Sequence, residues 1–239
     1  MTDNMCSNHS NLAYSEYCKS FQQRTKTRSP LRVLDLFSGI GSGTVVLKRL
    51  GLPIHTIIHV EHDPVAVEVC KYNHNGDGIN HVYIETFEDI YGTNDEPDDE
   101  QVKAMVDSYG SIDLVLSGAP CQNYSGLNAS RDQASANAQY LKKVGWLCKK
   151  LDEIQKESKN DNVLFLSENV VFKERDEINC CYADHEDGLT PICVDARDFG
   201  PVKRNRLYWV NVSIPPCLPS RVFFFFSPIV FLVLCLLLI

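Results

Sequence analysis

Basic residues are in short supply in this 239-residue chain, which carries 23 Lys and Arg against 31 Asp and Glu. With no strongly basic face, strong independent affinity for nucleic acid is not expected. The first 29 residues lack an apolar h-region, so passage to an oxidising compartment is not expected either. The ten cysteines therefore read as reduced thiols. Cys180, Cys181, His185 and Cys193 match no zinc-ligand spacing, and no metal site is expected. No internal repeat is apparent, which argues against a solenoid. The glycine-rich turn at 39–43 lacks the GxGxxG spacing of dinucleotide sites and contains no lysine, which argues against a nucleoside triphosphate.

The acidic balance is local. Residues 85–113 hold ten acids against Lys103 alone, and outside them 22 bases face 21 acids. Asp95 to Glu100 reads as an exposed, solvated loop.

From Leu31 onward, β-type runs alternate with helical stretches. The pattern predicts strands at 32–37, 54–60, 81–84, 112–117, 162–167, 191–194 and 207–212, and helices near 43–50, 64–73, 99–108 and 137–157. Such alternation predicts an α/β, Rossmann-like fold, a mainly parallel sheet with helices on both faces. Three regions follow: a flexible arm at 1–30, a domain at 31–212, and an apolar tail at 213–239. The arm's Arg24, Lys26 and Arg28 suit phosphate contact or simple solubility. Residues 222–239 form an uncharged run of 18, near the lower limit for crossing a bilayer and interrupted by Pro228. A membrane anchor, a segment covered by a partner, and sequence foreign to the functional protein all fit it.

Val33 to Gly43 reads as a strand entering a glycine turn and then a helix, a geometry that lets backbone approach a ligand closely. Beyond strand two stand Glu61, His62 and Asp63, followed by Pro64. An acid at that strand tip suits ribose hydroxyls, while capping of the next helix is the other reading, Asp63 above all. Asp89, after strand three, suits an adenine amino group. Together these acids fit an adenosine ligand without a phosphate string.

Gly118-Ala119-Pro120-Cys121 closes an apolar run and delivers a thiol to the carboxyl edge of the sheet. A thiolate there suits attack on an electron-poor ring, and a packed thiol in a turn is the plain alternative. Glu168, at the end of strand five, is a carboxyl in an apolar setting that should hold its proton more firmly than usual. Arg204 and Arg206 lie on one side of an extended segment and suit a carboxylate, a phosphate or a pyrimidine carbonyl.

In order, DLFSGIGSG, VEHDP, the acid in FEDI, SGAPCQNYS, SENVV and VKRNRLYW resemble the motifs of the DNA cytosine-5 methyltransferases, de novo eukaryotic branch. Val202 stands where many of that family carry Gln. The resemblance implies S-adenosyl-L-methionine as cofactor, held by Asp35, Phe37, Ser38, Gly39, Ile40, Gly41, Ser42, Gly43, Glu61, His62, Asp63, Asp89 and Pro120, with Pro64 shaping the pocket. It implies Cys121 as nucleophile, Glu168 as the acid at ring nitrogen 3, and Arg206 at the cytosine carbonyl. Arg204 would order the site, and Asn169 would brace the Pro120-Cys121 turn. Residues 122–136 would close over the base. The implied partner is double-stranded DNA with its target cytosine flipped out, and the implied location is the nucleus, a membrane-associated location through the tail being the alternative. Family members continue with a target-recognition region and a final helix. Only 27 residues follow Val212, so a partial catalytic domain is expected. An accessory protein partnering another methyltransferase subunit and a tRNA cytosine-5 methyltransferase are the alternatives carried forward.

Overall fold

The computed structural model describes residues 29–120, 136–156, 163–171, 191–198, 201 and 203–211. Cys121, the arm over 1–28 and the apolar run at 222–239 lie outside the described residues. Seven strands form one sheet in the order β3-β2-β1-β4-β5-β7-β6. They are β1 (Leu31–Leu36), β2 (Ile54–Val60), β3 (Asn80–Ile84), β4 (Leu114–Ser117), β5 (Leu164–Val170), β6 (Ile192–Asp195) and β7 (Asn205–Val210). Strands β1 to β5 pair in parallel, and β7 runs antiparallel between β5 and β6. This is the mainly parallel Rossmann-like sheet expected from the alternation.

Five helices connect the strands: α1 (Ser42–Arg49), α2 (Pro64–His74), α3 (Glu88–Tyr91), α4 (Asp99–Tyr109) and α5 (Ala136–Gln155). Local chemistry starts two of them. Asp63 accepts from the Val65 amide at 2.9 Å with Pro64 just inside α2, and Asp98 accepts from the Glu100 and Gln101 amides ahead of α4. The acidic stretch expected as a loop thus closes into a helix start, because carboxylates are favoured where free N–H groups point outward.

Each face of the sheet carries its own core. On α5, Leu141, Val144, Cys148, Leu151 and Gln155 recur every three or four residues and are buried. The first four of these belong, with Val102 and Met105 of α4, to the cluster that includes Leu34, Ile58, Val115 and Phe165. On the opposite side, Val46 and Leu47 of α1 join Val33, Ile57, Leu116, Leu166 and Tyr208. Gln155 ends the α5 stripe with a polar group. Its amide donates to the Ile112 carbonyl at 3.1 Å and accepts from the Ile112 amide, tying the helix end to the approach of β4.

Several strand ends differ from expectation. β4 begins at Leu114 rather than 112, and β5 continues to Val170 because β7 supplies antiparallel partners, Tyr208 opposite Glu168 and Arg206 opposite Val170. The short helix α3 had no sequence signal, its four residues being too few to show a period.

Beneath β2 and β3 the molecule is polar. Tyr83, His59, His81 and His74 stack as a column with ring centroids 5.0, 5.3 and 5.5 Å apart. Asp77 accepts from Lys48 Nζ at 2.9 Å, the Ile79 amide at 3.0 Å and His81 Nε2 at 3.2 Å. A carboxylate only accepts, so His81 carries its proton on Nε2, and its Nδ1 accepts from His59 Nε2 at 3.0 Å. His59 Nδ1 lies 3.6 Å from Asp35 Oδ2. Burial by itself lowers the His59 pKa, but hydrogen bonds and charge from Asp35 and Cys70 outweigh it and lift it to about 9. Burial pushes His74 and His81 down.

Two measurements check these packing arguments. Gln155→Ala, which strips two hydrogen bonds from the Ile112 backbone, should lower the unfolding free energy by roughly 2 kcal/mol in denaturant titration. For His59 the raised pKa means that its charge stabilises fully below the unfolded value of about 6.5 and ceases to do so as pH climbs through 9. His74 and His81 are depressed and act below 6.5, which leaves this window to His59. The stability gap between the parent and His59→Gln should therefore narrow from pH 6.5 to 9; a constant gap removes the assignment.

Candidate active site

Parallel pairing, in register from Arg32 onward, brings five strands level toward their carboxyl ends. Ile84 pairs with Val60, Val60 with Leu36, Leu36 with Ser117, and Ser117 with Ser167. Glu85, Glu61, Phe37 and Gly118 follow and leave the sheet along one edge, and Glu168 takes the next position within β5 beside them. β7 runs the other way, so its beginning lies at that edge and Arg206 arrives beside Glu168.

Two cavities of about 330 and 360 Å³ open there and share Phe37, Glu61, His62 and Pro120 as a common wall. The first is completed by Gly118, Ala119, Glu168, Val170, Arg204 and Arg206. Val60, Glu85, Thr86, Phe87, Glu88 and Tyr140 complete the second. Three carboxylates and no Lys or Arg line the second cavity, which suits hydroxyl donors or a cation rather than a phosphate chain. Phe37 holds a left-handed backbone (φ 57°), uncommon for a bulky residue. Its ring is fixed there by Phe87 at 5.5 Å and Tyr140 at 5.2 Å.

In the first cavity Arg206 Nε donates to Glu168 Oε1 at 2.7 Å. Burial raises the Glu168 pKa, and the charges of Arg206 and Arg204 pull it back; burial wins. The Arg204 amide donates to Asp195 Oδ1 at 3.2 Å, which secures the start of β7 while its exposed side chain lines the cavity. Asn169 is wholly buried and donates to the Ala119 carbonyl at 3.3 Å, two residues before Cys121. Pro120, the last described residue before Cys121, lines the same cavity as Glu168 and Arg206.

The glycine turn packs tightly. Glu61 accepts from the Gly39 amide through Oε2 and from the Asp63 amide through Oε1, both at 2.9 Å, so one carboxylate spans both sides of the second strand tip. A side chain on Gly43 would meet Leu116 at 2.9 Å and Asp35 at 3.0 Å, which explains the bare backbone at that step. Ser38 Oγ is buried and has no partner, a free polar atom in the turn, as a ligand-binding loop would leave. His62 is exposed and lies 3.2 Å from Glu61. Ile40, Gly41, Ser42, Gly43 and the buried Asp35 line neither cavity, and Ser38 and Gly39 stand just behind their shared wall.

Two sequence candidates are turned elsewhere. Asp63 is exposed and occupied as the α2 cap, and Asp89 is exposed and accepts from the Thr86 amide at 2.9 Å, closing the turn that starts α3. Neither lines a cavity. The neighbouring acid does: Glu88 faces the second cavity and accepts from Tyr140 Oη at 2.8 Å. Burial and Glu88 push the Tyr140 phenol up to about 12. Tyr140 gave no local sign in the sequence, since its partners lie about 50 residues upstream. Histidines inside apolar runs, His59 in Ile-Ile-His-Val above all, were a readable hint of the buried column.

DNA (cytosine-5)-methyltransferases DRM1 and DRM2 of Arabidopsis thaliana are 33% and 35% identical to this chain over 101 and 104 residues, which is 41% of the chain and 15% of each relative. The chain thus spans only a small part of the relatives it matches. Among solved structures, the S. pombe Dnmt2 methyltransferase covers 76% of this chain and 49% of its own, with 19% identity and a TM-score of 0.48. The description C-5 cytosine-specific DNA methylase matches residues 31–171, from the first strand of the sheet to the end of β5. Through that stretch, which carries the glycine turn, Pro120 and Glu168, the chain belongs to the family of C-5 cytosine-specific DNA methylases.

Proposed function

We propose that this chain methylates carbon 5 of cytosine in double-stranded DNA through a covalent adduct with Cys121. The observation that carries the reading is the shared wall of the two cavities, one acidic and aromatic, the other holding an acid and guanidinium groups. The cofactor is S-adenosyl-L-methionine, which supplies, when bound, the methyl group that carbon 5 takes up. Its positive sulfonium suits a cavity with three carboxylates. Glu61 would take the ribose hydroxyls, and Phe37, Phe87 and Tyr140 supply apolar surface for the adenine.

The target base enters flipped out of the duplex. Cys121 gives its proton to solvent and the thiolate adds to carbon 6. Glu168 is suited to the matching step because burial helps it keep a proton. It delivers that proton to ring nitrogen 3, which draws charge out of the ring as carbon 5 becomes nucleophilic. Arg206 binds the carbonyl oxygen, Arg204 keeps the edge of β7 in order, and Asn169 steadies the turn before Cys121 through Ala119. Loss of the carbon 5 proton to solvent and expulsion of Cys121 as thiolate then restore the aromatic ring, and nitrogen 3 returns its proton to Glu168. The resemblance to the eukaryotic branch places this chemistry in the nucleus. Among the described residues no helix is long and apolar enough to cross a membrane.

Duplex DNA containing 5-fluorocytosine tests the covalent route, since fluorine cannot leave carbon 5 as a proton does. With cofactor present, the parent should form a denaturation-resistant complex and Cys121→Ser should form none. No complex from the parent with either polymer overturns the proposal, and a complex with 5-fluorocytosine-bearing RNA alone moves the substrate to RNA. The cofactor side is checked by calorimetry with S-adenosylhomocysteine. Glu61→Ala, which also frees the Gly39 amide, should weaken binding at least about tenfold, or roughly 1.4 kcal/mol.

A further inference from the structure

We infer that His74 is a positioning residue for the glycine turn, holding the Gly41 carbonyl from behind and through it the place of Glu61. This rests on the reading of that turn as part of the cofactor site. The Gly41 backbone is left-handed (φ 84°, ψ 30°) and begins α1 with no side chain to cap it. Its carbonyl accepts from the Val45 amide at 3.4 Å, a long contact, and from His74 Nε2 at 3.1 Å. The shorter bond thus comes from the far end of α2, 33 residues along the chain.

A carbonyl only accepts, so His74 carries a proton on Nε2. Its other nitrogen, Nδ1, is buried without a hydrogen-bond partner, and Asp77 lies 3.7 Å away. The ring is therefore oriented by Gly41 and by stacking on His81, not by a bond on its far side. The fit allows no retreat. A Cβ on Gly41 would lie 2.7 Å from His74 Nε2 and 2.6 Å from Cys70 Sγ.

From Gly41 the constraint passes forward. The Gly41 amide donates to the Ser38 carbonyl at 3.0 Å, and the adjoining Gly39 amide donates to Glu61, which lines both cavities. The turn is thus gripped at two points, by an imidazole behind and a carboxylate in front. Loosening the rear grip lets Gly39 move, and Glu61 with it. Neither His74 nor Gly41 lines a cavity, so any influence on ligand binding passes through the turn.

Two substitutions separate the donor from the ring. His74→Phe keeps an aromatic ring beside His81 and removes the N–H, whereas His74→Gln keeps an N–H donor and removes the ring. S-Adenosylhomocysteine binding is measured by calorimetry, and amide hydrogen exchange of residues 39–43 is followed in the ligand-free protein. His74→Phe should weaken binding about tenfold and speed exchange in the turn. His74→Gln should bind within about threefold of the parent. If the phenyl ring prevents folding, His74→Leu gives the same reading. Parent-like binding and exchange in the donorless variant overturn the positioning role alone, as does a Gln variant no better than Phe. No binding by the parent overturns the cofactor reading and this inference with it.

Discussion

A parallel ladder that stays in register at the carboxyl ends of its strands is the constraint on which the rest of this molecule depends. Because Val60, Leu36, Ser117 and Ser167 pair across β2, β1, β4 and β5, the residues that follow them come level along one edge. Parallel strands need long crossovers, so neighbours at that edge are far apart in sequence. Residues 37, 61, 118 and 168 become neighbours through backbone hydrogen bonds alone. A slip of one residue in any pair would turn that strand's side chains to the other face and carry its functional residue out of line.

The single reversal in the sheet matters as much. Had β7 run parallel, its end rather than its beginning would meet the ligand edge, and Arg206 would lie at the opposite side of the molecule. Running antiparallel, it brings a guanidinium to 2.7 Å from Glu168 while its later residues, Trp209 above all, stay wholly buried. The carboxyl is then pulled in two directions. Burial favours the protonated form and the arginines favour the charged one, and burial prevails. That balance suits a group that must give up a proton and recover it.

Behind the edge lies a second polar layer. The ring column from Tyr83 to His74 fills space that an apolar core would ordinarily occupy. Asp77 can only accept, which orders the hydrogen bonds through His81 to His59 in one direction, while the Gly41 carbonyl fixes the Nε2 proton of His74. Lys48 and Asp35 supply charge at its two sides. The column joins β2, β3, α1 and α2 to the turn that the cofactor reading needs to be stiff.

Most of the elements were readable along the chain, since each depends on neighbours within a few residues. Apolar runs marked the strands, Asp63-Pro64 marked the start of α2, and a three-and-four spacing marked α5. The ordered motifs from the glycine turn to VKRNRLYW likewise marked the family. Other features depended on contacts between distant segments. In sequence Asp89 looked like the acid for the ligand, yet in the fold its carboxylate closes its own turn and Glu88 faces the cavity with Tyr140. The direction of β7, the Arg206–Glu168 pair and the His74–Gly41 bond were equally hidden. A local pattern states which groups are available, whereas strand order and register decide which of them meet, because hydrogen bonding across the sheet joins residues that the chain itself keeps far apart.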